Sequence, residues 1–525
     1  MSLIYNATFD KNTRKLSFED RAGNEIYSFT VPEREKDDIT KPLTFKATQN
    51  RSTVTLRKND SPVGDFQTSR DGGNTWTDYT IGASITLNTG EEVSFRAKSD
   101  RTSAQNESDY FYFEMTGKIE AWHNVMSLYR TNDFATYDTV VSCSFFKLFF
   151  GCTSLTKAPE LPATTLAHWC YYHMFEGCAS LTKAPELPAT TLAYSCYSQM
   201  FNGCTSLTKA PELPATTLAQ WCYFYMFNGC TSLTKAPELP ATTLTDQCYS
   251  SMFSGCTSLT KAPELPATTL ANNCYYYMFS GCTSLIKAPE LPATTLANFC
   301  YGYMFYNCTS LTKAPELTAT TLVPNCYGYM FYNCTSLTKA PVLPATTLAT
   351  NCYGFMFSGC TSLTNAPVLP ATTLVARCYE SMFSGCTSLT KAPELPATTL
   401  ANYCYQTMFN GCTSLTKSPV LPATTLRDSC YSCMFKGCKS LTKAPVLPAT
   451  ALRDYCYEYM FNGCGSLNEV RCKISSTISS SSIGSNYAKN WLEGVASTGT
   501  FYTNADAKWP SGVSGIPTGW TRTNT

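Results

Sequence analysis

The sequence predicts a chain of mixed class: all-β modules at the N-terminus, then a solenoid of twelve 26-residue repeats, each a short strand plus a short helix. Three observations carry this reading. A unit that reads CTSLTKAPELPATTLANNCYYYMFSG from Cys256 to Gly281 recurs in register from Cys152 to Cys464. The copies differ mainly at five places, which in that unit are Asn272, Asn273, Tyr276, Tyr277 and Ser280. Residues 1–118 lack the unit and instead alternate apolar and polar residues between turn signals.

The helix expectation rests on the variable positions. At about 100° per residue, with Cys274 at zero, Met278, Ala271, Tyr275 and Phe279 fall between roughly 40° and 140°. The five variable positions fall between roughly 160° and 300°, so constant and variable residues form two unbroken arcs. Residues 271–280 and their equivalents therefore read as short helices with a fixed inner face. Thr268 or Thr269 serves as N-cap, and Gly281, Asn307 and Asn333 suit a C-cap in the left-handed region.

The other half of the unit, Leu259 to Pro266, reads as a strand of about four residues followed by a Pro-rich corner, because Pro263 in every copy removes the same ladder hydrogen bond. Leu259, Ala262 and Leu265 are expected inward, and Lys261 and Glu264 outward. At a coil spacing of about 4.8 Å the stack would be roughly 60 Å long.

Along the chain, residues 1–33 read as a small β-meander and docking module, 34–42 as a linker and 43–118 as a β-sandwich-like domain. Residues 119–151 then form an N-terminal cap, 152–464 the solenoid and 465–525 a C-terminal cap with a helix near 486–495. A net charge of +1 without a basic stripe argues against nucleic acid as partner. No apolar run approaches 18 residues, which argues against membrane insertion, and the first residues lack the pattern of a secretion signal.

Of 28 cysteines, 25 lie in the columns of Cys256 and Cys274. Residues eight apart on one helix sit about 12 Å apart, too far for a disulfide, so small buried thiols are expected, suited to a reducing or anaerobic setting. Three histidines and a single close pair, Cys430 and Cys433, offer no zinc site, and no cofactor motif is present. Ser69 to Trp76, SRDGGNTW, resembles the Asp-box of sialidases and related propellers, where the box is a structural hairpin turn remote from catalysis. No nucleophile, paired carboxylate or metal motif points to an enzyme.

The variable arc is the candidate site. Its sixty positions hold seventeen Tyr, Phe or Trp, thirty Ser, Asn, Gly, Gln or Thr, and only eight charges. That is the composition of paratopes, where rigid amphipathic rings supply area and small polar residues supply adaptable hydrogen bonds. The expected ligand-contacting residues are Trp169, Trp221, Phe224, Tyr225, Tyr277, Phe299, Tyr303, Tyr329, Phe355, Tyr403 and Tyr459.

The run MFxGCTSLTxAPxLPATTLAxxCYxx resembles the BspA-type leucine-rich repeats, whose consensus carries AFxxC, a Leu and an LP step. The resemblance extends from about residue 120 to the C-terminus, and the GNTWT and FYFEMTGKIEAW segments resemble the module that precedes such repeats. The unit is longer than the commoner family repeat. The resemblance implies a surface protein of anaerobic bacteria or their phages that acts by adhesion without catalysis. The expected partners are a host cell-surface glycan or protein, with a virion or surface anchor through the N-terminal β-module. The expected location is a virion surface or, alternatively, a bacterial cell surface. A structural spacer with no ligand of its own and a homo-oligomeric assembly stay open.

Overall fold

The computed structural model describes residues 6–10, 15–19, 25–30, 37–59, 65–101, 108–475 and 483–524. Three strands, β1 (Asn6–Asp10), β2 (Lys15–Glu19) and β3 (Glu25–Thr30), form an antiparallel sheet in that order.

Eight strands follow: β4 (Thr44–Ala47), β5 (Ser52–Lys58), β6 (Phe66–Ser69), β7 (Thr77–Tyr79), β8 (Ile85–Leu87), β9 (Glu92–Ala97), β10 (Phe111–Thr116) and β11 (Ile119–Trp122). They alternate in and out, burying Phe45, Val54, Leu56, Val93, Phe95, Phe111 and Phe113 between two sheets. One sheet has the order β10-β5-β8. The other, β11-β4-β9-β6-β7, is extended by β12 (Leu155–Lys157), which pairs parallel with β11. The solenoid thus grows directly from a sandwich sheet. The Asp-box segment forms the β6–β7 turn: Asp71 accepts from the Thr75 hydroxyl and the Asn74 and Thr75 N–H groups, and Trp76 donates to the Gly73 carbonyl.

The solenoid core consists of side-chain columns. Phe149, Phe175, Phe201 and their equivalents to Phe461 stack at 5.2–5.8 Å between centroids, and Phe145, Tyr171, Tyr197 and their equivalents to Tyr457 at 5.5–6.2 Å. At the N-terminal end Phe113 of the sandwich stacks on Phe149. At the other end Trp491 lies against both Tyr457 and Phe461 and is itself covered by Trp509. The last strands, β13 (Lys443–Leu447), β14 (Glu469–Cys472), β15 (Gly499–Thr503) and β16 (Trp520–Asn524), continue the stack as a parallel sheet.

The structure corrects the helix expectation. Residues 271–280 and their equivalents are consecutive tight turns, with no α-helix. In the Cys256 unit the N–H groups of Cys274, Tyr276, Met278 and Ser280 bond the carbonyl three residues back. Those of Asn273, Tyr275, Tyr277, Phe279 and Gly281 bond the next coil at 2.7–3.1 Å. Alternate amides are thus satisfied locally and axially, so every backbone N–H from Asn273 to Gly281 has an acceptor. Every fourth residue sits at positive φ: Asn273 at 53°, Tyr277 at 54° and Gly281 at 71°. The result is two residues in (Cys274, Tyr275), two out (Tyr276, Tyr277) and two in (Met278, Phe279). A period of four advances about 90° per residue against about 100° for a helix, a divergence of only about 90° over nine steps, so the arcs stayed unbroken.

The turn ladder also extends one rung past each end of the recognisable repeats. Cys143, Lys147 and Gly151 share the positive-φ spacing and bond the first unit, and Asn490 and Gly494 follow the last. The helix expected near 486–495 is a short π-helical turn over Ile483–Tyr487 followed by this rung.

On the opposite side Pro263, Leu265 and Ala267 are buried while Glu264 and Pro266 are exposed, and Ala262 is half-buried but packs against the core as expected, its equivalents Ala236 and Ala288 being fully buried. Four-residue strands were expected in each coil. Within the stack the coils join there mostly through single bridges, such as Lys235–Lys261 and Lys287–Lys313, because proline supplies no N–H. All 28 cysteines are free thiols, 27 of them buried, and in the Cys256 column each thiol donates to a Phe carbonyl, as Cys256 does to Phe227 at 3.1 Å.

Candidate recognition face

The main-chain conformation of the outward residues of the turn ladder is set by backbone hydrogen bonds. A non-glycine residue in the left-handed region costs about 1–2 kcal/mol, yet Trp169, Trp221, Phe299 and Tyr403 occupy the first such position, and Tyr225, Tyr277, Tyr303, Tyr329, Phe355 and Tyr459 the second. The axial hydrogen bonds and the buried residues on either side enforce that conformation whatever the side chain. Side-chain identity there is consequently free of the fold, which is what a diversified surface requires.

None of the eleven expected contact residues is fully exposed; each is half-buried against its neighbours. The structure gathers them into two groups. Trp221 lies 4.8 Å from Phe224, which lies 4.4 Å from Tyr225. Tyr277, Tyr303, Tyr329 and Phe355 form a continuous stack with centroids 4.4 Å apart at each step. Phe299 joins this stack through Tyr276, 5.8 Å away. Between the groups Ser250 and Ser251 are buried. Trp169 packs against Tyr194, Tyr403 lies under the Arg377 guanidinium, and Tyr459 faces Lys436, all outside the two groups.

Sequence reasoning passed over Tyr276, Tyr306 and Tyr332. Tyr306 and Tyr332 stack at 4.9 Å, and Tyr276 crosses the main column at 79° to Tyr303. Gly302 makes room for it: a Cβ there would lie 3.2 Å from the Tyr276 ring. The signal was available, since these residues occupy variable positions beside the named ones. Burial raises the Tyr277 and Tyr329 hydroxyls above the ordinary tyrosine range.

Outer rings 4.4 Å apart against 5.7–5.9 Å for the inner tyrosines from Tyr197 to Tyr431 make the turn side the tighter side of the stack. The Pro side is looser. A groove of about 490 Å³ lies between Lys261–Pro266 and Lys287–Pro292, and another of about 750 Å³ between Lys209–Pro214 and Lys235–Pro240, at two junctions that lack a lysine bridge. That side also exposes Val342, Val368 and Val420.

A family profile described as "BspA type Leucine rich repeat region" matches residues 146–260, 216–338, 277–416 and 402–489, in six copies. Together these span 146–489, or 344 of 525 residues. The chain belongs to the BspA-type leucine-rich repeat family. In this BspA-type chain the matched region is the stack of ring columns and turns, and the sandwich that feeds β11 into it lies outside the match. No curated protein matches the chain. Among solved structures it aligns with one titled "Crystal structure of TLR13-ssRNA13 complex" at 13% identity and a TM-score of 0.20, covering 70% of this chain and half the length of that one. At that score the likeness adds nothing to the argument. Among the described residues no group of three or more His, Cys, Asp or Glu could hold a metal, and no helix is long and apolar enough to cross a membrane.

Proposed function

We propose that this BspA-type protein is a non-enzymatic recognition module that binds a ligand on a cell surface through the outer residues of its turn ladder. The observation that carries the reading is the separation of side chain from scaffold at the positive-φ positions, where main-chain bonds hold residues as different as Ser251, Tyr277 and Arg377 in one conformation. Aromatic enrichment at those same positions supports it, since a drifting solvent surface would collect Lys and Glu instead. Display on a virion or a bacterial surface, with the sheet β1–β3 as the attaching piece, completes the proposal.

The continuous ring columns from Phe149 to Phe461 favour a second reading, a stiff spacer that sets distance and binds nothing itself. One experiment separates the two. The full chain and a Trp221→Asn/Tyr225→Asn/Tyr277→Asn variant are compared for binding to whole anaerobe cells. Binding that the variant loses, with its melting transition intact, supports recognition. Cells left unbound by both proteins would leave the spacer.

A further inference from the structure

Resting on the recognition reading above, we infer that the stretch of the turn face from Asn272 to Ser358 is a site for a neutral, extended carbohydrate chain lying along the stack axis. The four units in this stretch contribute twenty variable positions, of which eight are aromatic, five are Asn and none is charged. All eight charged variable residues lie in other units, the nearest being Asp246 on one side and the Arg377–Glu380 ion pair on the other. An acidic or basic polymer would find no counter-charge here.

The backbone excludes a peptide added as a strand. The amides of Asn273, Tyr275, Tyr277 and Phe279 already bond the next coil at 2.9–3.1 Å, so no ladder edge is open on this face. Spacing points the same way. The outer rings advance 4.4 Å per coil, and Tyr306 to Tyr332 advances 4.9 Å. A β-strand rises about 3.3 Å per residue and a polyproline helix about 3.1 Å, so both drift out of step within a few coils. An extended pyranose chain advances by about one ring per residue, a step of the same order as one coil.

The groups offered match sugar chemistry. Ring faces within the column cover one another, so a ligand meets edges and hydroxyls. The hydroxyls of Tyr276, Tyr277, Tyr303 and Tyr329 form a row on rings whose centroids lie 4.4–4.5 Å apart in succession, and each can both donate and accept, as sugar hydroxyls do. Asn325 and Asn351, bonded to each other at 2.7 Å, run beside the row and leave further amide capacity. Gly302, Gly328 and Gly354 keep the surface between the two columns low.

The test uses the full chain against soluble neutral polysaccharides (a β-glucan, a mannan and a galactan) and two acidic ones, polygalacturonate and hyaluronate. Tyr303→Phe/Tyr329→Phe removes two hydroxyls but keeps both rings, and Phe355 shows that Phe fits this column. Binding to a neutral polymer that is unchanged by added salt, weakens about tenfold or more in the double variant and survives in Trp221→Asn is the expected result. Binding confined to the acidic polymers, binding equal in wild type and double variant, or no binding to any neutral polymer overturns the inference. Cell binding that protease treatment of the cells abolishes, and that the asparagine triple variant loses, would leave recognition standing while removing carbohydrate. No cell binding would remove both.

Discussion

Tyr303 lies flat on Tyr329, with ring centroids 4.4 Å apart and planes within 6°, while both residues sit at positive φ, 56° and 57°. A strained backbone and a favourable ring contact meet at one position. The strain is set by the axial bonds from Tyr303 N–H to the Gly328 carbonyl, 2.9 Å, and from Tyr329 N–H to the Gly354 carbonyl, 2.8 Å.

The backbone term can be isolated by substitution. Tyr303→Asn and Tyr303→Val lose the same stack, but Asn tolerates the left-handed region and a β-branched residue does not. Val should be less stable than Asn by about 1 kcal/mol in urea titrations. Equal stabilities would mean that position 303 is not held at positive φ.

Trp491 closes both ring columns and is fully buried, its Nε1 donating to the Gly515 carbonyl at 3.0 Å. Trp491→Ala should cost about 3–5 kcal/mol. Because each coil contacts only its neighbours, the damage should concentrate at that end. Amide exchange at Tyr457 and Phe461 should accelerate by orders of magnitude while that at Tyr171 and Phe175 stays near wild type.

The thiol columns predict an ordered pattern of reactivity. Burial pushes Cys256 up to about 12, and its thiol is engaged with Phe227, whereas Cys433 is only half-buried. Iodoacetamide at pH 8 should alkylate Cys433 first in the native protein and reach the columns only on unfolding, as read by peptide mass spectrometry. Labelling of both columns at the rate of Cys433 would contradict the packing.

A titrating cluster sits where residues 37–42 cross the first coil. Asp37 accepts from Lys157 Nζ at 2.7 Å and from the His123 N–H, while His123 Nδ1 accepts the Asp38 N–H. Burial, and then the Asp37 carboxylate beside it, raise Glu160 from 4.5 to about 7. A carboxyl raised in the folded state stabilises below its ordinary pKa and loses that contribution as pH rises through 7. His123 is lowered by burial, so its contribution is present above 6.5 and lost as pH falls. Glu160→Gln should therefore raise the melting temperature at pH 8 and change little at pH 4. The gain should be of order 1–2 kcal/mol, allowing for solvent screening on the exposed side of Glu160. A melting curve equally shifted at both pH values would exclude the titration.

Much of this molecule is legible from residues alone. The 26-residue period places Leu259, Cys274, Tyr275, Met278 and Phe279 in one column each, and their burial follows from the cost of leaving apolar surface wet. The variable positions, the free thiols and the hairpin at Asp71 are likewise readable locally, because each depends on residues close in the chain or on repetition. The backbone of residues 271–281 is not. In-out periodicity reports where side chains point, and over ten residues a four-residue turn repeat and a helix sort them alike. What separates them is where the amide of Tyr277 finds its acceptor, and that acceptor, the Gly302 carbonyl, is supplied by the next coil. The positive φ at Tyr277, the stacking of its ring on Tyr303 and the grouping of four aromatic residues into one neutral patch all follow from that axial bond. They exist only once coils are stacked, which is why tertiary packing and not local preference decides them.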